Sequence, residues 1–112
     1  MELLFNNFGQ AGVVTVSGSV DALTAVELNE FITSQISNGN TRLVIDLGQV
    51  EFMSSAGLRA ILASFKESRQ NGGDLRLAAP QPGIEKVLKL SGFLNIIKTF
   101  SSPEEALKSY AE

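Results

Sequence analysis

The sequence predicts an α/β fold: a small mixed β-sheet, with a parallel core and one antiparallel edge strand, carrying about four helices. Three observations predict it. Hydrophobic residues recur with a period of two in some segments and of 3.6 in others, and the two kinds alternate along the chain. The first two apolar strand segments are separated only by a loop containing Gly9-Gln10-Ala11-Gly12, so they pair antiparallel. Every later strand is reached through a helix, and such strand–helix–strand units are right-handed crossovers between parallel strands.

The elements follow in order. Leu3–Phe5 is short and apolar, and Val13–Ser17 is a β-branched strand ending at Gly18. Thr24-Ala25-Val26-Glu27 fits a capping box with Thr24 at the N-cap and Glu27 at N3. Leu28, Phe31, Ile32 and Ile36 then recur at helical spacing, and Asn38-Gly39-Asn40 tolerates the left-handed stop. Arg42–Leu47 is a compact apolar run that suits a central strand covered on both faces. Leu58, Ile61, Leu62 and Phe65 mark a second helix, closed by Gly72-Gly73. Leu75–Ala79 is a strand halted by Pro80 and Pro82. Ile84, Val87 and Leu88 form a short helical stripe, and Phe93–Ile97 is assigned as the last strand. Ser102-Pro103-Glu104-Glu105 opens the closing helix, with an N-cap serine, Pro at N1 and Glu at N3.

Composition bounds the function. A chain of 112 residues, 44% hydrophobic and 19% charged, suits one globular domain over residues 1–112. The net charge is −3 and the sequence pI about 4.9, which argues against a nucleic-acid partner. There is no cysteine and no histidine, hence no thiolate nucleophile, no zinc–thiolate site and no Ser-His-Asp triad. No metal site, no cofactor and no catalytic residue is assigned, although a carboxylate-only enzyme stays open. The amino terminus lacks the basic region of a signal peptide, and polar residues and glycines interrupt the uncharged stretch 3–20. The expectation is a soluble cytoplasmic protein that does not enter a membrane. Charge is uneven: residues 1–57 hold one base against six acids, a net of −5, and residues 58–112 hold eight bases against six acids, a net of +2. At so small a net charge, chance sorting accounts for this; the sharper reading is an acidic end that meets a basic partner.

No phosphate-binding loop, dinucleotide fingerprint or nucleophile elbow is present. The segment Met53-Ser54-Ser55-Ala56-Gly57-Leu58 stands out because it joins the carboxyl end of a buried-type strand to an amphipathic helix. A serine at a helix entrance ordinarily caps it. That use explains one serine well, but two hydroxyls compete for one cap position. The alternative is modification: a phosphoryl group adds about two negative charges, and a helix N-terminus tolerates an anion.

The run from Val44 to Leu58 resembles the STAS domains (sulfate transporter and anti-sigma-factor antagonist), with their hydrophobic strand, Asp-Leu, short turn and Ser-x-Gly-Leu. Gly18-Ser19-Val20-Asp21, Gly72-Gly73-Asp74-Leu75 and Val87–Phe93 resemble further landmarks of that family, and Ser102–Leu107 its closing helix. The resemblance spans essentially the whole chain, in order, and is to the stand-alone bacterial antagonists. It implies binding to an anti-sigma factor that is also a serine kinase with a GHKL-type ATP site. It implies phosphorylation of the serine two places before the glycine, which is Ser55, and reversal by a PP2C-type phosphatase. Asp21 matches an acidic residue near the acceptor. Many members carry Asp immediately before the acceptor, where this chain has Ser54, so Ser54 stands as the competing acceptor or as the cap.

On this reading the partner-binding face comprises Asp21, Leu23, Met53, Ser54, Ser55, Gly57 and Leu58, with Leu23, Met53 and Leu58 as its apolar contacts. A phosphate there would face Asp21 and Glu51, and a loss of ~3–4 kcal/mol corresponds to hundreds-fold weaker binding. Two other roles remain: the same domain in a signalling scaffold or a lipid-transporter ATPase complex, and a small enzyme using Asp21, Asp46 and Ser55. Asp46 reads better as a strand-end carboxylate bonded to turn N–H groups.

Overall fold

A computed structural model describes residues 1–111. In chain order the elements are β1 (Glu2–Asn7), β2 (Gly12–Val20), α1 (Ala22–Ser37), β3 (Arg42–Met53), α2 (Ser55–Gln70), β4 (Asp74–Ala78), α3 (Pro82–Leu90), β5 (Thr99–Phe100) and α4 (Pro103–Ala111), with a 3-10 turn at Phe93–Asn95. One five-stranded sheet has the order β1-β2-β3-β4-β5. β1 is antiparallel to β2, and the remaining neighbours are parallel. The mixed α/β fold with one antiparallel edge strand and four helices is therefore as the sequence predicts.

Alternation along the strands distributes the apolar residues to two cores. Val14, Val16, Leu43, Ile45, Leu75 and Leu77 face α1, α2 and α3, which contribute Leu28, Ile32, Ile61 and Leu88. Val13, Val44 and Ala78 face the other way and are covered by Ala106 of α4. The run Leu43-Val44-Ile45 is apolar throughout because β3 is covered on both faces. Tyr110 anchors α4: its hydroxyl donates to the Leu43 carbonyl at 2.8 Å, and the Arg76 guanidinium lies 3.9 Å from its ring centroid. Burial pushes the phenol above its ordinary pKa, so it remains a donor.

Four assignments from sequence are corrected. The capping box of α1 lies one turn earlier, with Asp21 at the N-cap and Thr24 at N3. The Asp21 carboxylate accepts the N–H groups of Leu23 and Thr24 at 3.0 and 2.9 Å, and the Thr24 hydroxyl accepts the Asp21 N–H at 2.8 Å. β2 runs on to Val20, beyond its β-branched stretch, which leaves Asp21 as the only residue between strand and helix. Phe93–Ile97 is not a strand. Phe93 and Ile97 are both buried while Asn95 is exposed, a spacing that a helical turn satisfies; a strand would carry Asn95 into the core with them. The last strand is Thr99–Phe100. Finally, β3 extends to Met53 instead of ending at Leu47. The Asp46 carboxylate takes the Gly48 N–H at 3.0 Å, so β3 bulges there inside the strand, and pairing resumes at Ser17↔Gln49.

Gly73 shows how closely the chain approaches itself. A Cβ on Gly73 would lie 1.9 Å from the carbonyl oxygen of Thr41, whereas one on Gly83 in α3 meets nothing within 4 Å. Gly73→Ala is therefore expected to destabilise by about 1–3 kcal/mol, because a backbone carbonyl cannot step aside. Gly83→Ala is expected to stabilise by up to about 1 kcal/mol. Urea denaturation of both variants checks the pair of opposite signs.

Candidate functional site

The site begins with the register of two strands. Val20, the last residue of β2, lies opposite Met53, the last residue of β3. The ladder closes one step further, where the Ser54 N–H donates to the Val20 carbonyl at 2.8 Å. Asp21 and Ser54 therefore leave the sheet side by side, and each caps the helix that follows. Two helix N-termini, with their unpaired N–H groups, share one end of the sheet.

The pair is held together along its length. The Asn29 amide donates to Ser64 Oγ at 3.1 Å, and the Thr33 hydroxyl donates to Glu67 at 2.8 Å. Ser64 and Ser68 are fully buried, small enough to let α1 and α2 lie close. At the N-terminal end Gly57 does the same for helix and sheet: a Cβ there would sit 2.8 Å from Met53 Cγ and 2.9 Å from Val20 Cγ1.

The structure separates the two serines. Ser54 is the N-cap of α2, and its Oγ accepts the Gly57 N–H at 3.2 Å. Ser55 is the first helical residue, is exposed, and its hydroxyl makes no hydrogen bond among the described residues. The competition between two hydroxyls for one cap is thus resolved by position: the earlier serine caps and the later one points to solvent.

The other expected contact residues divide. Asp21 is exposed, and Leu23 is 80% exposed in the first turn of α1. Leu58 is half-buried and packs against the core. Met53 and Gly57 are buried, so they position the site from beneath and present no surface. Phe52 at the end of β3 and Val26 in α1 are further exposed apolar residues that sequence reasoning missed, at 53% and 56% exposure. Phe52 was legible in principle: once β3 reaches Met53, alternation turns Phe52 outward. Between the first turns of α1 and α2 runs a shallow groove of about 440 Å³, lined by alanines, with Glu30 and Arg59 at its sides.

Electrostatically this end is acidic. Asp21, Glu27, Glu30 and Glu51 are all exposed. Hydrogen bonds from the Thr24 backbone and side chain, reinforced by the Leu23 N–H, hold the Asp21 carboxyl below its ordinary 3.8. The described residues contain no cluster of three groups that could hold a metal ion. The arrangement offers a free hydroxyl, a fixed carboxylate and apolar contacts.

The STAS domain family matches residues 5–106. The chain belongs to the STAS domain family. This STAS domain is 33% identical over 110 residues to BtrV of Bordetella bronchiseptica, named as an anti-sigma factor antagonist, covering 98% of this chain and 95% of that one. It is also 33% identical over 95 residues to the anti-sigma-F factor antagonist RsfB of Mycobacterium tuberculosis, covering 85% and 77% of the two chains. Its fold superposes on the unphosphorylated form of the antagonist SpoIIAA with a TM-score of 0.83 at 21% identity, covering 98% and 96%. The phosphorylated form of Bacillus SpoIIAA superposes with a TM-score of 0.74 at 22% identity, covering 96% and 98%.

Ser54→Ala is expected to cost about 1 kcal/mol of stability through the lost cap, and Ser55→Ala to stay within about 0.5 kcal/mol of the parent. Thermal or urea unfolding distinguishes them. The depressed pKa of Asp21 adds stability that is fully present above about 3.8 and is lost as pH falls through the lower folded-state value. Asp21→Asn is expected to remove that part of the acid dependence, read from unfolding midpoints measured between pH 6 and 2.

Proposed function

We propose that this STAS domain is an anti-sigma factor antagonist. It binds an anti-sigma factor that doubles as a serine kinase with a GHKL-type ATP site, and phosphorylation of Ser55 ends the complex. A PP2C-type phosphatase restores the binding form. On this reading the protein is a regulatory binding module of the cytoplasm and not an enzyme; it is the substrate of its partner's chemistry.

The observation that carries the proposal is the division of labour between adjacent serines. Ser55 offers an exposed, unbonded hydroxyl at the N-terminus of α2, while the hydroxyl of Ser54 is committed to the cap. The names of the relatives at 33% identity support the class of partner. A phosphate on Ser55 would sit by open N–H groups, with Arg59 one turn along the same helix, so the domain would tolerate it. A docked partner would not. The new charge would have to be desolvated at the interface, and it would stand beside Asp21 on an already acidic surface.

Phosphorylation by the partner kinase is expected to add one phosphate to the parent chain and none to Ser55→Ala, as read by intact mass. Phosphate that persists on Ser55→Ala and vanishes on Ser54→Ala would reverse the acceptor assignment. Ser55→Asp is expected to keep the parent circular dichroism spectrum while binding the partner hundreds-fold more weakly by calorimetry, a change of ~3–4 kcal/mol.

A further inference from the structure

The outer edge of β1 is the least protected part of the sheet. Among the described residues β1 has a neighbour on one side only. Edge strands are ordinarily blunted by shortness, by Lys or Pro, by a bulge or by a covering segment. The opposite edge, β5, is two residues long. β1 has six residues, Glu-Leu-Leu-Phe-Asn-Asn, and pairs with β2 without a break in register. It carries no lysine, no proline and no bulge, and Leu4 is 59% exposed.

The register also shows which backbone groups are open. Phe8 N–H bonds the Ala11 carbonyl at 2.9 Å, and hydrogen-bonded and non-bonded pairs alternate in an antiparallel ladder. Glu2, Leu4 and Asn6 therefore turn their backbone groups towards β2, whereas Leu3, Phe5 and Asn7 turn theirs outward.

We infer that the open edge of β1 is a homodimer interface, at which two copies of this chain pair antiparallel about Leu4 to make one continuous ten-stranded sheet. The strand is complementary to itself in that register. The outward groups of Leu3 bond those of Phe5 in the second copy, and reciprocally, which makes four hydrogen bonds. Leu4 meets Leu4 across the two-fold axis as a non-bonded pair, where side chains approach most closely. Leu3 and Phe5, half-buried on the opposite face, are covered as well. Glu2, the one charge in the strand, falls opposite Asn6, so no like charges face each other. Joining two short strands buries little surface, in the class of weak, reversible interfaces, so monomer and dimer are in equilibrium. β3, which leads into Ser55, lies two strands in from the joint, about 9–10 Å away. The dimer therefore leaves that site open, and the inference is independent of the proposed function.

The chain contains no cysteine, so an introduced thiol is unique. Across the axis the Leu4 Cα atoms would stand about 4.5 Å apart, within the disulfide range. With oxidised glutathione as electron acceptor, Leu4→Cys is expected to convert to a disulfide-linked dimer. Ser17→Cys, one strand in on β2, is expected to stay monomeric. Sedimentation equilibrium of the parent is expected to show a monomer–dimer equilibrium, weakened at least tenfold by Leu4→Lys with an unchanged circular dichroism spectrum. The inference is overturned by a parent that stays monomeric to hundreds of micromolar, by Leu4→Lys dimerising as well as the parent, or by equal cross-linking at both cysteines.

Discussion

The parallel ladder between β2 and β3, carried to its last possible bond, is the constraint on which the site depends. The Ser54 N–H reaches the Val20 carbonyl at 2.8 Å, and with that bond both strands end at the same level. Each must then turn at once into a helix, because β2 and α1 are separated by Asp21 alone and β3 and α2 by Ser54 alone. A residue in such a position has to satisfy free helix N–H groups with its own side chain. Asp and Ser do this, and in doing so they are held rigidly beside each other. The bulges in β3 serve the same end, since without the residues they absorb the two strands would not finish together.

Burial then assigns a role to each residue of the Met53–Leu58 segment. Met53 and Gly57 close the gap between sheet and helix, where even one extra methyl group would strike Val20 and Met53 itself. Ser54 is used up as the cap. Ser55 is the first residue free of both duties, and it emerges at the positive end of a helix dipole. A site of this kind can accept an anion without paying in fold stability, while a surface docked against it cannot. That asymmetry is the physical content of the proposed switch, in which the partner is released and the domain stays intact.

The absence of histidine and cysteine fits the same picture. Nothing in the described site activates a nucleophile, and the Asp21 carboxylate is occupied by backbone N–H groups instead of poised to take a proton. On the proposed reading, function lies in which surfaces are presented, at the Ser55 end and along the open edge of β1.

Period and punctuation in the sequence determined the element types outside Phe93–Ile97, the antiparallel opening hairpin, the doubly covered strand at Leu43-Val44-Ile45 and the Ser102 helix start, because each depends on neighbours a few residues away. The order of Val44 to Leu58 also pointed to the STAS family, whose model matches residues 5–106. Only the tertiary structure decided which serine caps, which apolar residues face outward and where β3 ends. Thr24-x-x-Glu27 and Asp21-x-x-Thr24 are both plausible caps locally; the length of β2, set by its pairing with β3, selects the second. Phe93–Ile97 has the composition of a strand, but the core needs Phe93 and Ile97 together and Asn95 outside. Met53 reads as a surface contact until the approach of Val20 and Gly57 encloses it. In each case the deciding neighbour is distant in sequence, and local pattern carries no record of it.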